Sequence, residues 1–169
     1  MRGINVGGHK KILMADLRDF LENLNLKNVQ TYIQSGNIVF QSSELNSTSL
    51  ETLIENQILK QYGFDVPVLV KIQQELKSIF DSCPFSEDKK VNSYFMLLLT
   101  SPKEELIEEM SLINYPNEEF YITKNCIYFY CSIGYGRTKF NSNFFEKKLK
   151  VTATARNYKT MAKLIELAS

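Results

Sequence analysis

Two short segments combine glycine with basic side chains, and proteins use that combination to bind phosphate or carboxylate groups. The first is Arg2-Gly3-Ile4-Asn5-Val6-Gly7-Gly8, which three basic residues follow, and the second runs from Gly134 to Lys139. Glycine permits positive φ angles, and a helix predicted to begin near Met14 would point its free amides at the first loop. One interpretation is therefore an anion site, and the other is a turn whose glycines serve geometry alone. The spacing is neither that of a P-loop nor that of a dinucleotide fingerprint.

Three arginines lie at the ends of predicted elements. Arginine suits anionic ligands because its planar guanidinium can form two parallel hydrogen bonds with a phosphate or carboxylate. Arg2 and Arg137 belong to the two glycine loops, and Arg156 stands where a predicted strand meets the last helix. We expect them to converge, with Lys139, if the two halves of the chain pack about a shared axis. The alternative is that each arginine ties a turn to an acidic neighbour, and Asn157 is expected to be a simple N-cap.

The charge distribution favours an anionic partner. The net charge is only +1, but residues 75–122 hold ten acidic and four basic side chains, whereas residues 137–163 hold eight basic and one acidic. Such asymmetry can attract anions although the total charge is near zero. The alternative is that these charged residues lie on solvent-exposed helix faces, which would give the same numbers of acidic and basic residues.

Catalytic and base-stacking chemistry have weaker support. His9 is the only histidine, so a histidine triad or a multi-histidine metal site would need it, and its two lysine neighbours indicate an exposed loop residue. The three cysteines have no metal-type spacing, and we expect no metal and no cofactor. Tyr128 and Tyr130 share one face of a predicted strand, as the base-stacking residues of RNA-recognition modules do, but packing in the interior is the alternative.

The predicted elements follow one order twice. The second half comprises a strand, a helix opened by Ser101, a hairpin, a helix, a strand and a final helix, with bounds near 94–99, 102–110, 120–123, 126–131, 143–149, 151–155 and 157–167. The first half has a helix, a hairpin, a helix opened by a Thr48–Glu51 capping box and ended by Gly63, and a strand, near 14–24, 29–34, 38–41, 48–62 and 66–72. A third helix, which carries Leu76, Ile79 and Phe80, follows before Pro84, so this half has the same order without an opening strand.

This order predicts an α+β fold of two tandem ferredoxin-like (βαββαβ) units with antiparallel sheets. The units span residues 1–90 and 91–169, pack as one compact protein, and the first lacks its opening strand. That strand would be central in the sheet, and without it the backbone N–H and C=O groups of its two neighbours would lack hydrogen-bond partners. We therefore expect either coding sequence upstream of Met1 or a rearranged sheet.

Four ordered motifs resemble a bacterial family known as domain of unknown function 1697. They are Arg2 to Gly8, Thr31-Tyr32-Ile33-Gln34-Ser35-Gly36-Asn37, Gly134 to Lys139, and Thr152 to Asn157 followed by Lys163-Leu164. The resemblance implies the tandem ferredoxin-like fold and an apolar strand ahead of Arg2. It brings no established activity. Tyr158 stands where such proteins often carry tryptophan.

Three functional hypotheses follow from these observations. The favoured one is a non-catalytic binder of an anionic, phosphate-bearing ligand such as a nucleotide or RNA; the others are an enzyme acting on a phosphorylated or carboxylated small molecule, and a structural or homo-oligomeric protein without a ligand. The candidate ligand-binding residues are Arg2, Gly3, Asn5, Gly7, Gly8, Ser35, Asn37, Arg137, Lys139, Arg156 and Asn157. Without a membrane-length apolar run or a signal-peptide pattern, the protein is expected to be cytoplasmic.

Overall fold

The computed structural model describes residues 1–169, apart from the side chain of Arg137. Over the described residues the protein is α+β, with two separate antiparallel sheets and seven α-helices. The chain divides into two compact units, Met1–Gln73 with Leu164–Ser169, and Gln74–Lys163. The α+β prediction is confirmed, whereas the tandem ferredoxin-like units over 1–90 and 91–169 stay a prediction.

The first unit packs two helices around a two-stranded antiparallel sheet. Its elements are α1 (Met14–Glu22), β1 (Lys27–Tyr32), β2 (Asn37–Gln41) and α2 (Ser47–Tyr62). The apolar positions of α1 and α2 recur at helical spacing, and their side chains form one buried cluster with residues of the N-terminal loop. The cluster includes Ile4, Leu17, Leu21, Ile54 and Ile58, each at most 1% exposed. Burial of these side chains holds the N-terminal loop against the helices.

Residues typical of helix caps mark both ends of α2. Gly63 adopts the left-handed conformation with φ of 76°, so the predicted end of the helix is confirmed. The predicted start was wrong, because Asn46 rather than Thr48 is the N-cap. The Asn46 side chain accepts a hydrogen bond from the Ser49 amide at 3.1 Å, and asparagine is among the strongest N-cap residues.

The predicted strand over residues 66–72 was wrong, since the segment has no regular secondary structure. Two carboxylates of α2 accept hydrogen bonds from alternate backbone amides of this segment. Val68 N donates to Glu55 Oε1 and Val70 N donates to Glu51 Oε1, each at 2.8 Å. The hydrogen-bonded strand pairs of this unit's described residues join only β1 and β2. Without a neighbouring strand, residues 66–72 do not form a ladder.

The second unit is built around a four-stranded antiparallel sheet. Its strands are β3 (Tyr94–Leu98), β4 (Glu118–Ile122), β5 (Cys126–Cys131) and β6 (Ala153–Asn157), in the spatial order β4-β5-β3-β6. The helices along this part of the chain are α3 (Gln73–Asp81), α4 (Glu87–Lys90), α5 (Glu104–Ser111), α6 (Ser142–Leu149) and α7 (Tyr158–Leu167). The predicted order strand, helix, hairpin, helix, strand is therefore present.

Two local predictions in this unit need correction. Ser101 is not the cap of α5, which begins at Glu104, because the Ser101 hydroxyl donates instead to the Lys124 carbonyl at 3.0 Å. The last strand runs to Asn157 rather than to Ala155, since its register with β3 extends to the pair Tyr94–Asn157.

Both faces of this sheet pack against other elements of the unit. On one face, Met96, Ile127 and Phe129 join a cluster with Phe140 and Phe145. On the other, Phe95 stacks on Phe80 of α3, with 5.5 Å between the ring centroids. Successive side chains along β3 and β5 point to opposite faces of the sheet, so each strand contributes apolar residues to both faces. No helix in the described chain is long and apolar enough to cross a membrane.

Candidate anion-binding loop

The first glycine loop forms a small hairpin of its own. Val6 and His9 make an antiparallel bridge, and His9 N donates to the Val6 carbonyl at 3.0 Å. Gly7 and Gly8 at its tip have φ of 57° and 80°, and two successive positive φ angles are typical of a type I′ turn. These glycines are therefore required by the backbone of the turn.

Asn5 fastens this hairpin to the rest of the first unit. Its Nδ2 donates to the carbonyls of Ile12 at 2.9 Å and Gln34 at 3.0 Å, and its Oδ1 accepts from Ile12 N at 2.9 Å. Asn5 also has a φ of 56°, which asparagine tolerates better than most residues. One neutral side chain thus closes the loop and joins it to the β1–β2 turn. Asn5 positions the loop, whatever the loop binds.

The basic residues of the loop differ in their surroundings. His9 and Lys11 are exposed, which confirms the prediction of an exposed histidine. The Lys10 ammonium donates a hydrogen bond to the Asp65 carbonyl, so this side chain links the loop to the segment after α2. Arg2 is half-buried, and its backbone N donates to the Pro67 carbonyl at 2.9 Å. Of the basic side chains of this loop, those of His9 and Lys11 are therefore the exposed ones.

Helix α1 begins directly after the loop without a side-chain cap. Its N-cap residue is Leu13, which is extended and offers no hydrogen-bond acceptor in its side chain. The first-turn amides of a helix carry a partial positive charge that favours anions, although Asp16 in the same turn opposes it. The loop and the helix start therefore place partial and full positive charges close together in sequence.

Ser35 and Asn37, predicted as ligand groups, hold the β1–β2 turn. Asn37 is buried, and its Nδ2 donates to Ser35 Oγ at 2.9 Å and to the Tyr32 carbonyl at 3.2 Å. Gly36 between them has φ of 73°, and a Cβ there would lie 2.8 Å from Met1 Cβ. The Met1 nitrogen donates to the Gly36 carbonyl at 3.1 Å. Only glycine lets the first residues of the chain pack on this turn.

The second loop is fastened by a buried carboxylate. Glu118 of β4 is 7% exposed, and its two oxygens accept from Lys139 N at 2.7 Å and Phe140 N at 2.8 Å. Glu118 has no distinguishing signal in the sequence, because it stands in an acidic stretch beside the exposed Glu119. The Lys139 side chain is exposed, and that of Arg137 lies outside the described part of the chain.

Arg156 and Asn157 have internal partners. One terminal nitrogen of Arg156 donates to Thr154 Oγ1 at 2.7 Å and to the Ala155 carbonyl at 2.8 Å. Burial of the guanidinium lowers the pKa of Arg156 to about 10, because removal from water disfavours the charged form. Asn157 Oδ1 accepts from Thr160 N at 2.9 Å, which confirms its predicted role as the N-cap of α7.

The structure contradicts base stacking on Tyr128 of β5, whereas Tyr130 is half-buried. Tyr128 is 2% exposed, and its hydroxyl donates to the Ile79 carbonyl of α3 at 2.9 Å. Tyr130 packs against Phe85 with 6.0 Å between ring centroids, and Lys89 Nζ lies 5.4 Å from the Tyr130 ring. The alternative of interior packing is correct for Tyr128, since α3 covers this face of the sheet.

Of the predicted site residues, seven belong to the first unit: Arg2, Gly3, Asn5, Gly7, Gly8, Ser35 and Asn37. The Asn5 side chain joins their loop to the β1–β2 turn through the Gln34 carbonyl. Arg137, Lys139, Arg156 and Asn157 belong to the second unit. Convergence of the arginines stays a prediction.

The family model for the protein of unknown function DUF1697 matches residues 1–128, three quarters of the chain. The chain belongs to this family. The predicted family is therefore confirmed over residues 1–128, whereas the motifs at Gly134 to Lys139 and Thr152 to Asn157 lie outside the matched region.

A solved structure has a similar fold: that of the conserved bacterial protein SP0830 from Streptococcus pneumoniae. The two chains share 27% sequence identity with a TM-score of 0.69, and the match covers 99% of this chain and 95% of SP0830. No curated protein matches the sequence.

Proposed function

We propose that this DUF1697 protein is a non-catalytic binder of an anionic, phosphate-bearing ligand, and that the ligand contacts the loop from Arg2 to Lys11. The observation that carries the proposal is the exposure of His9 and Lys11 on a loop that Asn5 closes, directly before the uncapped start of α1. A loop held in one conformation loses little entropy on binding, and positive charge beside free helix amides favours an anion.

The second loop has a smaller part in this proposal. Its amides at Lys139 and Phe140 already bind the Glu118 carboxylate, so an external anion would have to displace a buried internal one. Lys139 and Arg137 could still add long-range attraction to the basic segment 137–163.

The test is a titration of the whole protein with inorganic phosphate, adenosine nucleotides and a short RNA at several salt concentrations. We expect at least one probe to bind with an association constant that falls linearly on a log–log salt plot. Lys11→Gln should weaken that binding about three- to tenfold, the size of one exposed charge contact.

Lys60→Gln is the matched control, because Lys60 is an exposed lysine of the same unit, in the last turn of α2. The proposal fails if no probe shows salt-dependent binding, or if Lys60→Gln weakens binding as much as Lys11→Gln. Turnover of a bound probe would favour the rival hypothesis of an enzyme.

We further infer that both units are ferredoxin-like. The order β4-β5-β3-β6 in the second unit, reached through two helix crossovers, is the order expected of a βαββαβ unit and supports this inference. The three free thiols, of which Cys126 and Cys131 are buried, fit the reducing interior that a cytoplasmic location would provide.

A further inference from the structure

The two edges of the four-stranded sheet in the second unit differ in how their backbone groups are covered. On the β6 edge, Ala153 N donates to Glu146 Oε1 at 2.7 Å, and the Ala155 carbonyl accepts from Arg156 at 2.8 Å. Side chains that bind the amides and carbonyls of an edge strand hinder the addition of another strand. The β6 edge is therefore closed by side chains of its own unit.

Among the described residues, the β4 edge has no comparable cover. Thr123 N donates to the Cys126 carbonyl at 2.9 Å, so every second residue of β4, counted back from Thr123, points its backbone groups toward β5. Phe120 and Ile122 point theirs to the free edge instead. Within the described part of the chain, no hydrogen bond binds the outward backbone groups of Phe120 and Ile122. These groups are available to an added strand.

A groove lies between α5 and this uncovered strand. Its volume is about 460 Å³, and its apolar lining is provided by the side chains of Ile107, Ile113, Phe120 and Ile122. Directly opposite residues of an antiparallel strand pair have their side chains on the same face of the sheet. A strand added beside β4 would therefore direct every second side chain into the groove, next to Phe120 and Ile122.

The charges around the groove are of one sign. Residues 104–123 hold six glutamates and no lysine, arginine or histidine. At a spacing of three residues, Glu104 neighbours the groove-lining Ile107 on the surface of α5. At the same spacing, Glu108 neighbours the groove-lining Ser111, and both glutamates are exposed. Charge complementarity therefore favours a basic partner, whereas a second copy of this chain would bring the same glutamates to the contact.

We propose that the β4 edge binds an extended basic peptide segment of a partner protein, antiparallel to β4 and with apolar and basic residues in alternation. The apolar side chains enter the groove, and their residues exchange backbone hydrogen bonds with Phe120 and Ile122. The basic side chains lie on the other face of the sheet, beside the exposed Glu119 and Tyr121. This site belongs to the second unit and does not depend on the anion-binding loop of the first.

The experiment titrates the whole protein with the fluorescently labelled peptide Lys-Val-Lys-Val-Lys-Val-Lys. One control peptide, Lys-Lys-Val-Val-Val-Lys-Lys, has the same composition without the alternation. The other is the alternating peptide with N-methyl groups on its valines, which cannot donate to the edge. We expect the alternating peptide to bind about tenfold more tightly than either control, and to slow hydrogen exchange of the Phe120 and Ile122 amides about tenfold at saturation.

Two double variants test the charge contribution. Glu104→Gln with Glu108→Gln should weaken binding of the alternating peptide about fivefold, the effect of two exposed charge contacts. Glu105→Gln with Glu109→Gln is the matched control, because it removes the same charge from exposed positions of the same helix that do not line up with the groove. We expect it to weaken binding about twofold or less.

Equal affinity for the three peptides would overturn the proposal, because binding would then depend on charge alone. Equal weakening by the two double variants would overturn the assignment of the peptide to this groove. Protection of the Phe120 and Ile122 amides that rises with protein concentration in the absence of peptide would identify a second copy of the chain as the occupant, which also contradicts the proposal.

Discussion

The two glycine loops differ in the group that fastens them. The loop of the first unit is closed by the neutral amide of Asn5, and the loop of the second is held through its backbone by the Glu118 carboxylate. The neutral amide brings no negative charge to its loop, whereas the carboxylate places an anion against the backbone amides of the second loop. Loops of similar composition are therefore fastened in two different ways, and our proposal places the ligand at the first loop.

The largest effect is expected from Glu118→Ala. Two amides in the interior would lose a charged acceptor, which should lower the free energy of unfolding of the second unit by about 3 kcal/mol. Urea unfolding followed by tyrosine fluorescence measures it. Glu109→Ala, on the exposed face of α5, should change little. If Glu118→Ala were as stable as that control, the buried carboxylate would not fasten the second loop.

Asn5→Ala should have the next largest effect. It removes three hydrogen bonds and places alanine at a positive φ, which together should cost the first unit about 2 kcal/mol. Hydrogen exchange of the Ile12 amide would report the loss locally. Asn56→Ala, an exposed asparagine of α2, is the matched substitution. Unchanged exchange at Ile12 in Asn5→Ala would show that the amide does not close the loop.

Gly8→Ala and Gly136→Ala compare the backbones of the two loops. A Cβ would meet no atom within 4 Å at either position, but Gly8 has a φ of 80° and Gly136 does not have a positive φ. Gly8→Ala should therefore cost about 1–2 kcal/mol and Gly136→Ala less than about 0.5 kcal/mol. Thermal unfolding distinguishes the two, and equal costs would contradict the turn geometry of the first loop.

The smallest effect on stability is expected from Lys139→Gln. The loop uses the Lys139 amide rather than its exposed side chain, so the free energy of unfolding should change by less than about 0.5 kcal/mol. Binding of the phosphate probes should also change less than in Lys11→Gln. A stronger loss of binding in Lys139→Gln would move the candidate site to the second unit.

Several parts of the fold could be predicted from local patterns. The helical spacing around Leu17 and Leu21, the hairpin β4–β5 and the caps at Gly63 and Asn157 depend on neighbouring residues in the sequence, and the structure has them. Residues 66–72 have the composition of a strand, but a strand requires a partner in space, and the carboxylates of α2 bind their amides instead.

The sequence by itself determined the α+β class, the family and the positions where glycine and basic residues stand together. Tertiary structure decided which of those residues face solvent, because burial and hydrogen-bond partners come from segments distant in the chain. Glu118 reaches across 21 residues to Lys139, and Asn5 reaches across 29 to Gln34. No local pattern encodes such pairings, since each depends on how strands and helices pack.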